Sequence, residues 1–370
     1  MPEKKNTTAS WISLSLIPGL GNIAFKNLLE AFGSPENVFR ARLKDLLSVK
    51  GVREVVARAV FKKEFVQDPV RLLRKIEDMK IHPIIFSDPE YPPLLRTIHD
   101  PPMILYRKGR DIPTNVNFLA VVGSRHPTQY GIKTAEMIAY GLARRGLGIA
   151  SGMAQGIDAA GHWGCMKGGN FTVAVLGTGH DVVYPASNRR LFSIICEKGA
   201  VISEFPPGTP PDPKNFPIRN RIISGISKGV LVVEATRKSG SLITAALALE
   251  QGREVFAVPG SIHSFKSAGC HLLLKQGAAL VENAQDILQG LGLHFSGLQE
   301  MKGEKAPKNG IQEIEEGERI VFDVLGDFPV HIDQIAKQTG MLPAEVSSLL
   351  LQLELKGIIR QLPGKMFVRQ

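Results

Sequence analysis

Phe118-Leu-Ala-Val-Val-Gly-Ser-Arg125 decides the fold: five apolar residues run directly into a glycine, a hydroxyl and a guanidinium. An uninterrupted apolar run of that length, ended by a glycine turn, reads as a strand buried on both faces. The same grammar recurs downstream in Thr172-Val-Ala-Val-Leu, Ala200-Val-Ile, Val230-Leu-Val-Val and Glu254-Val-Phe-Ala-Val. Helical stretches separate these runs, at Thr134–Arg145, Asn188–Glu197, Leu242–Gln251 and Ala284–Leu291. Strand and helix in that alternation predict an α/β domain over residues 81–295, a parallel sheet covered on both faces. Ligands of such sheets sit beyond the carboxyl ends of the strands, near the point where strand order reverses.

The glycine loops fall at those ends. Gly123-Ser-Arg offers a backbone N–H, a hydroxyl and a guanidinium to a phosphate. Ser151-Gly-Met-Ala-Gln-Gly and Gly177-Thr-Gly end or follow neighbouring strands, and Ser239-Gly-Ser-Leu-Ile-Thr opens a helix at its positive end. Between them lies Lys214-Asn-Phe-Pro-Ile-Arg-Asn-Arg-Ile-Ile-Ser, with three cations and a ring in eight residues, read as a proline-broken loop. Cations that follow a backbone and a ring that stacks on an unpaired base are what single-strand binders use.

The ends of the chain read differently. Residues 1–80 hold a loose repeat, Ile17-Pro-Gly-Leu-Gly-Asn-Ile-Ala and Val49-Lys-Gly-Val-Arg-Glu-Val-Val, each a glycine turn leading into an amphipathic helix. That is helix-hairpin-helix grammar, whose turn can present N–H groups to a phosphate. Gly19-Leu-Gly-Asn-Ile-Ala also fits a dinucleotide fingerprint, but no strand precedes it and the match is false. Residues 296–316 are polar and aperiodic, a flexible linker. Residues 317–370 order as helices at Glu318–Leu325, Ile332–Thr339 and Pro343–Lys356, then a hairpin turning at Pro363-Gly364, which resembles a winged helix. Its third helix carries Val346, Leu349, Leu350 and Leu353 on one face and Glu345, Ser347, Ser348, Gln352 and Glu354 on the other. A groove-reading helix needs cationic and bidentate donors, and no arginine stands there, so this piece is expected to contact a protein or only to stabilise assembly, not to read DNA.

Charge and composition agree with a nucleic-acid partner in the first two segments. The net charge is +10. Residues 1–82 and 83–299 each carry an excess of six positive charges, while residues 318–370 balance six against six. The N-terminus lacks a signal-peptide pattern and no apolar run reaches the ~18 residues of a membrane span, so a cytoplasmic protein is expected, off the membrane. Cys165, Cys196 and Cys270 are single and far apart, neither a disulfide framework nor a metal knuckle. The nine histidines lack ligand spacing, and no triphosphate or nicotinamide loop follows a strand. No metal or cofactor is expected.

From Tyr91-Pro-Pro-Leu-Leu through Gly123-Ser-Arg, Ser151-Gly-Met-Ala-Gln-Gly-Ile-Asp-Ala-Ala, Gly177-Thr-Gly, Tyr184-Pro and Ser203-Glu-Phe-Pro-Pro-Gly to Asn215-Phe-Pro-Ile-Arg-Asn-Arg and Ala248-Leu-Glu-Gln-Gly-Arg-Glu-Val-Phe-Ala-Val-Pro-Gly, the chain resembles the DNA-processing protein A family. The resemblance implies a sterile-alpha-motif-like helical domain, an extended Rossmann-like core and a winged-helix tail. It implies a homodimer that binds and protects single-stranded DNA and loads the RecA recombinase onto it in natural transformation, with single-strand-binding protein as a further partner, and no catalysis. The DNA contacts it implies are Gly123, Ser124, Arg125, Lys214, Phe216, Arg219, Asn220 and Arg221, to which the helix opening adds Ser239, Gly240, Ser241 and Thr244. Ile218, Ala246 and His271 depart from residues frequent in the family, the last in the Gly269–Ala279 stretch associated with dimerisation. The rival reading is a nucleotide-processing, phosphoribohydrolase-like enzyme. It lacks an acid close behind Gly240-Ser-Leu-Ile-Thr244, the next being Glu250. Residues 83–299 alone are expected to keep most single-strand affinity.

Overall fold

The structure, a computed structural model, describes residues 2–293, 315–326 and 329–369. The chain divides into two compact units, Met1–Phe295 and Ser296–Gln370.

The first unit opens with six helices, α1 (Pro2–Ser15), α2 (Asn22–Phe32), α3 (Pro35–Arg40), α4 (Leu43–Leu47), α5 (Glu54–Lys62) and α6 (Pro69–Asp78). The two halves of the repeat become two like turns: Gly19 and Gly51 have φ of +75° and +79°, a left-handed conformation that glycine adopts without a Cβ penalty. Each turn is tied to the other half, Arg53 Nη2 donating to Gly19 O at 3.1 Å and Asn27 Nδ2 to Lys50 O at 2.8 Å.

A nine-stranded sheet follows. Its strands and helices alternate as β1 (His82–Ile85), α7 (Pro93–Arg96), β2 (Ile104–Gly109), β3 (Phe118–Val122), α8 (Gln129–Ala143), β4 (Gly148–Ser151), α9 (Ile157–Lys167), β5 (Thr172–Val175), α10 (Arg189–Lys198), β6 (Ala200–Ser203), α11 (Asn215–Gly225), β7 (Gly229–Val232), α12 (Gly240–Glu250), β8 (Glu254–Ala257), α13 (Ala268–Lys275), β9 (Ala279–Leu280) and α14 (Ala284–Gly290). The spatial order is β1-β2-β6-β5-β4-β3-β7-β8-β9. All neighbours from β6 to β9 pair in parallel, whereas β2 runs antiparallel to both β6 and β1. The chain steps outward from β3 to β6 on one side, then returns to lay β7, β8 and β9 on the other. The strand order therefore reverses between β3 and β7, where Val121 lies opposite Leu231.

Alternate residues feed two cores, as the pleat requires. Phe118, Ala120, Val122, Val230 and Val232 join the core under α11 and α12, whereas Leu119, Val121, Leu231 and Val233 join that under α8, α9 and α14. No run named above corresponds to β1, β2, β4 or β9, although β2 opens on the buried apolar residues Ile104-Leu-Tyr106.

The N-terminal helices share one core with β1 and β2: Trp11, Leu28, Val56 and Leu72 pack with Ile85, Met103, Ile104 and Tyr106. This shared core bears on a fragment starting at residue 83. Such a cut severs β1 and strips the cover from Met103, Ile104 and Tyr106.

A correction concerns Lys214–Ser224. It is a helix, α11, and not a proline-broken loop. Pro217 is the third helical residue, in the first turn, where its missing N–H has no intrahelical partner to lose. Asp212 starts the turn, its Oδ1 accepting from Lys214 N at 2.9 Å and its carbonyl from Asn215 N at 2.9 Å.

The second unit comprises α15 (Glu316–Val324), β10 (Val330–His331), α16 (Ile332–Thr339), α17 (Pro343–Leu355), β11 (Ile359–Leu362) and β12 (Met366–Arg369), a winged helix whose sheet is ordered β10-β12-β11. Val346, Leu350 and Leu353 of α17 are buried with Val321, Ile335 and Phe367, while Glu345, Ser347, Ser348 and Gln352 face solvent. Pro363, Gly364 and Lys365 turn the hairpin, the last two at φ +83° and +54°. The stretch 296–316 read as a linker lies outside the described residues, save Glu315 and Glu316 at the start of α15.

Candidate nucleic-acid interface

At the reversal point a cavity of about 370 Å³ opens beyond the ends of β3 and β7. The β3–α8 loop supplies Gly123 and Arg125 to its wall; α11 supplies Phe216, Pro217, Arg219 and Asn220; the start of α12 supplies Ser239, Gly240, Ser241 and Thr244. Of the twelve expected residues, nine line this cavity. Ser124, Lys214 and Arg221 do not.

Arg125 is exposed, and its guanidinium carbon stands 5.6 Å from the Phe216 ring centroid. The loop that carries it is held at both ends. Ser124 O accepts from Ile157 N at 3.2 Å, and Ser124 Oγ accepts from His126 N at 3.1 Å. Thr128 caps α8 by accepting from Gly131 N at 3.1 Å, while buried Glu234 receives Thr128 N at 2.9 Å and the Thr128 hydroxyl. Gly156 makes room: a Cβ there would lie 2.5 Å from Ser124 O, and its φ is +79°.

The floor is Arg219, only 5% exposed. Its Nη1 donates to Gly152 O at 2.7 Å and to Val175 O, its carbon lies 5.9 Å from the Phe216 centroid, and its Nε has no partner. Burial lowers its pKa to about 10, so it remains a cation at neutral pH. Two of the glycine loops make room for this floor. A Cβ at Gly152 would come within 2.6 Å of the Arg219 guanidinium, and one at Gly177 within 2.9 Å of the Phe216 ring. Their lack of a side chain is what the structure uses.

Arg221 goes to the interior. It is 7% exposed, forked on Glu204 at 2.7 and 2.6 Å and bonded to Asp100 at 3.1 Å. Lys214 is exposed at the head of α11, outside the lining. At α12, the Ser239 and Ser241 hydroxyls pair at 2.8 Å, and Arg237 and Lys238 stand exposed immediately before them.

Three functional candidates escaped the sequence reading. Asp158 lines the cleft, accepting from Gly152 N at 3.1 Å and Ala154 N at 3.3 Å, and burial pushes its carboxyl above the usual carboxylate range. The cleft thus has an acid after all, brought from α9, more than eighty positions before Ser241, where no local spacing announces it. Tyr184 lines the cleft beside Phe216; its signal was an aromatic beside a proline just after a glycine loop. Arg237-Lys238 was legible as a cation pair before a helix start.

Residues 82–292 match the family model described as DNA recombination-mediator protein A, and residues 305–365 match the DprA winged helix domain. Protein Smf of Escherichia coli K12 is 43% identical over 292 residues, spanning 76% of each chain. DNA processing protein DprA of Streptococcus pneumoniae R6 is 42% identical over 272 residues, spanning 73% of this chain and 93% of its own. Among solved structures, DNA processing protein A of Streptococcus pneumoniae superposes with a TM-score of 0.68 at 39% identity, covering 76% of this chain and 96% of that one. DNA processing protein A of Helicobacter pylori, described for its unique single-stranded DNA binding mode, gives 0.52 at 27% identity, covering 58% and 99%.

Proposed function

The chain belongs to the DNA recombination-mediator protein A family, and on that premise we propose that its cleft binds single-stranded DNA and that the protein delivers this strand to a recombinase of the RecA type during DNA uptake and recombination. One observation carries the reading: an exposed cation, Arg125, and an aromatic ring, Phe216, meet over a buried cation at the strand-order reversal of the sheet. Phosphates require the first and unpaired bases the second. Arg125, Lys214, Phe216, Asn220 and the Ser239–Thr244 helix start are the direct contacts in this reading. Arg219 is the charged floor, and Arg221 holds α11 in place.

The test is a titration with labelled single- and double-stranded oligonucleotides at two ionic strengths. Preference for the single strand, with affinity falling as salt rises, supports the reading; equal affinity for duplex overturns it. For delivery, the protein should accelerate RecA assembly on strands already coated with single-strand-binding protein. The proposed homodimer forms along the β9 edge, where Leu249, Leu272 and Leu280 are exposed on neighbouring elements. His271, on α13, is tied inward, its Nε2 donating to Gly260 O at 3.0 Å.

Asp158 favours a second reading, nucleotide hydrolysis in the same cleft, because the acid the sequence lacked near Thr244 is present in space. Incubation with nucleoside monophosphates separates the two: release of free base supports hydrolysis, none supports strand binding.

A further inference from the structure

Phe216 is the ring the sequence singles out, yet its surroundings leave it little freedom. It is half-buried, packed over Gly177, with the guanidinium carbons of Arg125 and Arg219 at 5.6 and 5.9 Å from its centroid. Beside it stands Tyr184, ring centroids 5.4 Å apart and planes inclined by 40°. Tyr184 lines the same cavity and is 43% exposed.

The Tyr184 loop is pinned along its length. Thr178 Oγ1 donates to Val182 O at 2.8 Å, Asn188 Nδ2 to Met153 O at 2.9 Å, and Gln155 Nε2 to Ser187 Oγ at 2.7 Å. Asp181 accepts from Gly208 N and pairs with Lys75 of α6, both at 2.8 Å. A large exposed ring on a loop so tied is presented at little further cost in conformational entropy when a flat ligand arrives. A base inserted between the two rings would need roughly 7 Å, two van der Waals layers, which 5.4 Å does not provide. The rings therefore offer adjacent faces, each to its own base.

We propose that Tyr184 is a second base-stacking residue of this cleft, so that Tyr184 and Phe216 together receive two unpaired bases; this rests on the cleft being the single-stranded DNA site. Tyr184 is the more exposed of the pair, and every base has a π-face to lay on it.

The experiment compares oligo-thymidine with an abasic strand of equal length, titrated against the full chain and its Tyr184→Phe, Tyr184→Leu and Tyr184→Ala variants. Tyr184→Phe should bind oligo-thymidine like the parent. Tyr184→Ala should bind it about tenfold more weakly, Tyr184→Leu should fall in between, and the loss should vanish on the abasic strand. An equal loss on both strands means that Tyr184 acts only through the loop's structure, and overturns the proposal. So does an unchanged affinity for oligo-thymidine when Arg125→Ala and Phe216→Ala both weaken it. If those two variants also bind normally, the cleft reading itself fails and the proposal falls with it. A thermal melt unchanged by Tyr184→Leu separates stacking from unfolding.

Discussion

Arg219 and Arg221 stand two residues apart on one helix and do different work. A separation of two puts them about 200° apart around α11, so one reaches the cleft floor and the other reaches Glu204. Replacing Arg221 by Met leaves Glu204, its side chain 11% exposed, without its main partner, an expected loss in urea unfolding below the roughly 3–5 kcal/mol of a fully buried pair. The double variant with Glu204→Met should recover most of it. Arg125→Ala should weaken oligonucleotide binding and reduce the salt slope by about 0.7, one phosphate contact on a single strand. Phe216→Ala should weaken binding with the slope unchanged, because stacking releases no counterion. Equal slopes for the two variants would undo this division of labour. Gly152→Ala pushes a methyl into the buried Arg219 guanidinium. The expected result is a loss of roughly 1–3 kcal/mol in stability and a weaker grip on the strand, read by melting and titration together.

At the scale of elements, the β3–α8 loop is as well anchored as the helices around it. Thr128 does two jobs, capping α8 and bonding Glu234. Thr128→Val keeps the shape and removes the hydroxyl, so the cap weakens by about 1 kcal/mol and the Glu234 carboxylate loses one of its donors. Arg125 is then displayed less rigidly, and single-strand affinity should fall several-fold while the salt slope stays. A parent-like affinity would mean that the loop needs no such anchor. α11 makes the complementary point. Lys214–Ser224 has the composition of a binding loop, yet Asp212 and Pro217 favour a helical start. A helix sets Phe216, Arg219 and Asn220 on one side, which a loop would not.

For the whole molecule, the shared core of α1–α6 with β1 and β2 makes Met1–Phe295 the natural fragment. Residues 1–293 should bind oligo-thymidine within about threefold of the full chain, since α17 presents no arginine; a larger loss would place part of the site in the winged helix. Acid should destabilise the first unit through two buried histidines. His162 Nδ1 bonds Thr172 Oγ1 at 2.7 Å while that hydroxyl donates to Ile149 O at 2.9 Å, so Nδ1 carries the proton and Nε2 is bare. Burial lowers His162 to about 3 and His180 to about 4. Unfolded histidines titrate near 6.5, so the unfolded state takes up protons first. The stability they contribute is complete above that pH and is lost as pH falls toward 4, by up to about 1.4 kcal/mol per unit for each. His162→Gln should flatten the melting temperature against pH between 6.5 and 4; an unaltered profile would assign the loss to other groups.

The strand runs at Phe118, Thr172, Ala200, Val230 and Glu254 and the helices between them were legible because both faces of a parallel strand are apolar. The winged-helix order was legible from three amphipathic periods and a Pro-Gly turn, and Arg125 and Phe216 from their chemistry. What the tertiary structure decided is which polar residues remain free. Arg221 and Arg219 read alike until Glu204 and Gly152 arrive from just beyond other strands; Asp158 and Tyr184 enter the cleft from a helix and a loop distant in sequence. Local pattern encodes how a segment hides its apolar atoms, whereas the pairing of charges and the lining of a cavity depend on which segments meet.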